Sequence, residues 1–192
     1  ESGLLSYPTD HQKSFVADYG TANAHGYVMG HNSLTAYWDT ASMNHDERLR
    51  EPGKGPWHDF SLYVKGPILI DLNANFCESW DDNCDNSSHS KGDKLTKARK
   101  SMASTMRASP GLSMAQIVRT RPDKTVNNAK EKEIRRAYLQ VAANPRRYVL
   151  IVNQYFQYAR WVRELKKHFQ AYKQKGARRQ IYIFAFTSEP EK

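Results

Sequence analysis

The sequence predicts an α/β fold, a mixed or mostly parallel sheet flanked by helices. Three observations predict it. The apolar runs at Tyr148–Val152 and 180–186 have strand length and no polar alternation, as strands covered on both faces do. Between them, Trp161, Val162, Leu165, Phe169 and Tyr172 recur at helical spacing. Helix, strand, helix and strand then follow one another over the second half of the chain, an order that lays helices against a sheet.

The elements follow from the N-terminal side. Residues 11–18 and 26–30 read as strands, with Phe15, Val16, Tyr27 and Val28 as the buried side chains. Residues 31–57 are rich in Asn, Asp, Gly and Pro and read as loop. Ser61–Val64 is a short apolar strand. Pro67 opens a helix at the position proline favours, and Ile68, Leu72, Phe76 and Trp80 give it an apolar row. Residues 81–112 are polar and lysine-rich and read as an exposed insert. Residues 114–119 form a strand. Residues 130–143 form a helix with Ile134, Tyr138 and Val141 in register, and 158–172 a second amphipathic helix. There is no internal repeat. The division expected is 1–112 and 113–192.

The composition bounds the function. Aromatic residues at 11% of the 192 argue against disorder. The net charge of +9 suits an anionic partner: nucleic acid, anionic headgroups or a phosphodiester. Much of it lies in 91–107 and 146–179, where solvated helix faces account for it equally well. No run of about 18 apolar residues is present to cross a membrane, and no signal-peptide pattern opens the sequence. Cys77 and Cys84, without histidines at ligand spacing, make a poor zinc site. They stand as two thiols or as a short-loop disulfide.

One motif carries chemistry. His11-Gln12-Lys13 is followed after four residues by Asp18. On a strand, side chains alternate, so His11 and Lys13 point to one face. An imidazole beside an ammonium can attack phosphorus while the cation stabilises charge on the equatorial oxygens.

The order of motifs after it resembles the phospholipase D superfamily. Gly30-His31-Asn32-Ser33, Tyr37-Trp38-Asp39-Thr40, Arg50-Glu51-Pro52, Pro56-Trp57-His58-Asp59-Phe60, Gly66-Pro67, Asn75-Phe76 and Trp80 are similar to the first catalytic half of eukaryotic-type phospholipases D. Gln116 to Thr120, Arg136-Ala137-Tyr138 and Ile151 to Phe156 resemble the approach to the second half. The resemblance covers about residues 7–186, with 81–112 matching poorly.

The resemblance implies a phospholipase D-like layer fold and hydrolysis of membrane phospholipid to phosphatidic acid through a phosphohistidine, with no metal and no cofactor. It implies His11 as nucleophile, with Lys13 and Asn32 on phosphate oxygens and Gly30 in the phosphate-binding turn. Asp18 completes the motif and holds strand and loop. Asp59 orients the histidine of the facing motif. His31 departs from the small or apolar residue usual in its place, so its role stays open. His58 alternates away from Asp59, and His25, His45, His89 and His168 read as surface or satisfied groups.

No second H-x-K-x4-D occurs in the sequence. The expectation is therefore that residues 113–192 begin a second catalytic half whose motif comes from another segment or chain, and that this chain alone is nearly inactive. The implied partners are a phospholipid membrane surface, that second half and a neutralising protein. Nucleic acid ranks behind them, as the substrate of a nuclease of the same superfamily. The third reading is an inactive half-site held in a complex. Similar patterns occur in antibacterial effectors delivered by type VI secretion, which implies action at a periplasm or membrane surface.

Overall fold

The structure is a computed structural model and describes residues 11–84, 94–107, 111, 113–122, 129–176 and 180–187. It is of the α/β class. The chain divides into two compact units, Glu1–Ile117 and Val118–Lys192.

In unit 1, β1 (Lys13–Ala17), β2 (His25–Met29) and β3 (Ser61–Val64) form an antiparallel sheet in the order β1-β2-β3. The helix α1 (Ile68–Cys84) covers one face. Gly66 at φ 79 turns the chain into it, with the Leu69 and Ile70 amides bonded to the carbonyls of Gly66 and Pro67. Leu69 and Leu72 are fully buried with Ala24 and Met106, and Val16 and Val64 reach them from the sheet. A Cβ on Gly26 would lie 2.9 Å from a Leu72 methyl and 3.0 Å from a Leu69 methyl, so glycine sets how closely helix and sheet approach.

Alternation decides which strand residues enter this core, and it corrects two expectations. Val16 faces α1, but Phe15 and Tyr27 point to the other face, which no described element of unit 1 covers, and both are exposed. Val28 is also exposed. The apolar row of α1 is corrected in part. A helix of 17 residues spans about 25 Å and the five-residue strands about 17 Å, so the helix outruns its sheet. Leu72 is buried, while Phe76 and Trp80 lie beyond the sheet, partly exposed, with the Arg99 guanidinium 5.8 Å from the Phe76 ring.

The polar insert is also more ordered than expected. α1 runs on to Cys84, and α2 (Leu95–Arg99), a 3-10 turn at Lys100–Met102 and α3 (Ala103–Arg107) follow. Met106 on α3 belongs to the core. The Asp81 carboxylate accepts from the Leu95 and Thr96 amides at 2.7 and 3.2 Å, which caps α2. Residues 85–93, 108–110 and 112 of that insert, with His89, lie outside the described residues. Cys77 and Cys84 are buried on one helix, seven positions or about 10 Å apart, whereas a disulfide requires Cα atoms within about 7 Å. Burial pushes the Cys77 thiol up from its ordinary range.

In unit 2, β4 (Thr120–Pro122) pairs antiparallel with β5 (Ala129–Lys132). The strand expected at 114–119 belongs to no ladder among the described residues, and the pairing begins at Thr120 instead. The helix expected from 130 starts later, as α4 (Glu133–Ala142), because β5 takes the preceding residues into its ladder. β6 (Tyr148–Val152) and β7 (Tyr182–Phe186) are parallel and joined through α5 (Ala159–Gln174). Ala142, Val149, Trp161 and Leu165 form the core, and the Phe156 and Trp161 rings meet edge to face at 5.3 Å. The two strands expected to be buried are not. Only Val149 of β6 is buried, and all five residues of β7 are exposed. The sheet is thus divided among three small ladders in the described residues.

Candidate active site

Hydrogen-bond register brings the predicted residues to one end of the unit 1 sheet. Met29 pairs with Lys13 on one side and with Ser61 on the other. The Gly30 amide continues the ladder to the Phe60 carbonyl at 2.8 Å. His11 and Lys13, Gly30 to Asn32, and Asp59 therefore leave the sheet at the same end. Asp18 does not. Five residues further along an extended strand it lies about 17 Å from Lys13, in the β1–β2 turn at φ 51. There its carbonyl accepts from the Thr21 amide at 3.0 Å and hydroxyl at 2.9 Å. Aspartate tolerates this left-handed conformation better than most side chains.

His11 and Lys13 form a pair. Lys13 Nζ lies 3.0 Å from each ring nitrogen of His11 and donates to the His11 carbonyl at 3.1 Å. His11 is exposed and Lys13 half-buried, so an anion can reach the ring while the lysine stem stays held by the sheet.

Gly30 and Asp59 are matched to each other. A Cβ on Gly30 would collide with the Asp59 carboxylate, so the absence of a side chain lets that carboxylate lie against β2. Asp59 Oδ1 accepts from the Phe60 amide at 2.7 Å, which fixes its rotamer. Asn32 is half-buried, two residues beyond Gly30.

Three features were not legible as parts of the site. Gln12, the middle residue of the motif, accepts from the buried Asn75 of α1 at 2.8 Å, which ties the motif to the helix. The His31 ring meets the Ser61 hydroxyl at 2.8 Å at the same sheet end, so His31 is anchored there. The third is Arg50, whose side chain is 1% exposed. It donates to the carbonyls of Trp38, Asn44 and His45 at 2.8, 2.9 and 3.2 Å and meets Asp39 at 2.9 Å. Arg50 thereby closes the 31–60 segment into a braced loop. Its signal in the sequence was the Arg50-Glu51-Pro52 motif, with Arg48 beside it among exposed-looking charges, which does not separate a buried hub from a surface cation.

His25 packs on Phe15, Tyr27 and Tyr63, His58 on Phe60, and His168 reaches the Pro145 carbonyl. No group of three or more metal-ligating side chains occurs among the described residues. A cleft of about 540 Å³ lies in unit 2 at the carboxyl end of β6, lined by Leu150, Val152, Tyr155, Tyr158 and Trp161 among others. It contains none of the predicted site residues.

No family model matches the chain, and no curated protein or solved structure is significantly similar to it.

Proposed function

We propose that the chain carries the first half of a phospholipase D-type phosphodiesterase site, within a phospholipase D-like layer fold. One observation carries the reading: the His11–Lys13 pair at 3.0 Å leaves the sheet at the same end as Gly30, Asn32 and Asp59. A phosphodiester there meets an imidazole and a cation, with the Asp59 carboxylate held beside them against Gly30.

The chemistry follows from those groups. A ring nitrogen of His11 attacks phosphorus while Lys13 turns from the imidazole to a phosphoryl oxygen. The bond to the headgroup oxygen breaks, and a second histidine, from another segment or chain, protonates that oxygen. The same histidine then deprotonates water, which breaks the N–P bond and releases phosphatidic acid. Asp59 orients the second histidine through its ring N–H. General acid–base help is worth roughly 100- to 10,000-fold, so the chain without that histidine is slow. The setting proposed is an antibacterial effector acting on a phospholipid membrane surface, held in check by a neutralising protein. Among the described residues no helix is long and apolar enough to cross a membrane.

The test is headgroup release from phosphatidylethanolamine vesicles by the protein with its second motif present. His11→Ala should lower the rate by about 1,000-fold or more, since it removes the nucleophile. It should also abolish an acid-labile, base-stable phosphoenzyme. The net charge of +9 favours a second reading, a nuclease of the same mechanism. Cleavage of plain DNA or RNA with no headgroup release would put that reading first.

A further inference from the structure

The charge of the chain is not shared evenly by its two units. Unit 2 holds 18 of the 29 lysines and arginines against 6 of the 20 carboxylates, a net +12, while unit 1 holds 11 against 14, a net −3. Residues 134–187 are more one-sided still. They carry twelve lysines and arginines and a single carboxylate, Glu164, which Lys167 already meets at 3.1 Å. Arg135, Arg136, Arg146, Arg147, Arg160 and Arg163 are all exposed. A solvated surface ordinarily intersperses both signs of charge. One carboxylate against twelve cations suits a polyanion instead.

The same unit presents rings. Val149 points into the core with Trp161 and Leu165, so its neighbours Tyr148 and Leu150 point the other way. The parallel register sets Tyr148 beside Tyr182, Leu150 beside Phe184 and Val152 beside Phe186. All six are between 47% and 65% exposed. Tyr182, Phe184 and Phe186 thus form a row, spaced about 6.6 Å apart along β7. Leu150 and Val152, next to that row, also line the cleft of about 540 Å³. There Tyr138 and Tyr155 add two more exposed rings, and Asn153 and Gln157 add amides. Arg146 and Arg147 stand at the amino end of β6.

Cations and open rings together select the partner. A single-stranded nucleic acid is a polyanion whose bases are free to stack on aromatic side chains, and a sheet face with two or three such rings serves as a platform for them. An acidic peptide neutralises the cations but brings no planar groups for the rings. A bilayer boundary favours exposed tryptophan, and the one tryptophan of unit 2, Trp161, is 6% exposed in the core.

We propose that unit 2 binds single-stranded nucleic acid, with bases stacked on Tyr182, Phe184 and Phe186 and phosphates on the flanking arginines. The cleft beside Leu150 and Tyr155 takes one splayed base, its edge against Asn153 and Gln157. This site goes beyond the phospholipase reading and does not rest on it.

The experiment is fluorescence anisotropy of a labelled oligouridylate of about 12 nucleotides, within the span of such sites, titrated with the full chain at several salt concentrations. The parent should bind, and log K should fall linearly with log salt, by about 0.7 for each phosphate neutralised. Phe184→Ala/Phe186→Ala should weaken binding roughly tenfold or more, as loss of base stacking implies, with the salt slope kept. Arg146→Ala/Arg147→Ala should weaken it and flatten the slope by about 1. Leu49→Ala, at a side chain 62% exposed in unit 1, should change nothing. His11→Ala should bind as the parent does, which keeps this outcome separate from the phospholipase test. Far-UV circular dichroism should show each variant folded as the parent. The site is overturned if the parent does not bind below about 100 µM at physiological salt, or if a duplex of the same length binds as tightly. It is also overturned if the ring variant binds as the parent does, or if the arginine variant leaves the salt slope unchanged. Binding to phosphatidylglycerol vesicles, or formation of a dimer, lost in the ring variant and with no oligonucleotide bound, would overturn it too and give the face to a bilayer or to a second copy.

Discussion

The two units each lay helices against a small sheet, and they bury very different amounts of it. In unit 1, α1 seals one face of an antiparallel meander, and Leu72 is 2% exposed. In unit 2, α5 joins two parallel strands, yet Leu150 of β6 is 60% exposed and every residue of β7 lies open. The difference is one of strand chemistry. β1 to β3 alternate, so one face is built for a core and the other carries Lys13, His25 and tyrosines. β6 and β7 read Tyr-Val-Leu-Ile-Val and Tyr-Ile-Phe-Ala-Phe, apolar at both parities, and two strands with helices on one side cannot cover both faces. A strand's own composition states what it would bury, and its neighbours decide what it does bury.

The sharpest way to break this comparison is to cut the same residue type in each unit. Leu72→Ala should cost about 2–5 kcal/mol, the usual range for a fully packed leucine. Leu150→Ala should stay within about 0.5 kcal/mol. Chemical denaturation followed by far-UV circular dichroism reads both. An equal loss at Leu150 would mean that β6 is covered in solution and that the contrast between the units is wrong.

Glycines give a smaller contrast. Gly30→Ala drives a methyl group into the Asp59 carboxylate and should cost about 1–3 kcal/mol through overpacking, with Asp59 displaced from the sheet end. Gly176 in unit 2 has nothing within 4 Å but sits at φ 75, so Gly176→Ala should lose only about 1 kcal/mol to backbone strain. Thermal melting of the two variants checks the order.

The smallest effect concerns Asp81. Its carboxyl is held below the ordinary carboxylate range, chiefly by the Thr96 side-chain hydrogen bond, with the Leu95 and Thr96 amides adding to it. A group depressed in the folded state contributes stability above its unfolded value, near pH 4, and loses it as pH falls through the lower folded value. Protection of the Leu95 and Thr96 amides, taken relative to the intrinsic exchange rate at each pH, should therefore fall below about pH 4 in the parent. In Asp81→Asn it should be lower at neutral pH and change little with acid. Unit 2 amides should follow neither trend.

Much of the local structure was legible. Alternation marked β1 to β3, Pro67 marked the start of α1, and the spacing of Trp161, Leu165 and Phe169 marked α5. The expected 130–143 helix lost its first residues to β5, because a ladder partner at 120–122 was invisible to periodicity. The 81–112 stretch read as an exposed insert because Met106 alone, among lysines and serines, gives no period from which burial can be inferred. At the candidate site, the H-x-K spacing announced His11 and Lys13 as neighbours. Their convergence with Gly30 and Asp59 depends on the Met29 register, which joins residues up to 48 apart in the chain.

What the sequence determined by itself is thus the α/β class, the H-x-K spacing that sets an imidazole beside an ammonium just before β1, and the basic charge that suits an anionic partner. Only the tertiary structure decided which apolar faces are covered, that the two buried cysteines lie too far apart on one helix to bond, and that Arg50 is a buried hub rather than a surface cation. The physical reason is common to all three. Periodicity and spacing act along the chain within a few residues, whereas burial and hydrogen-bond satisfaction depend on groups brought together from distant positions.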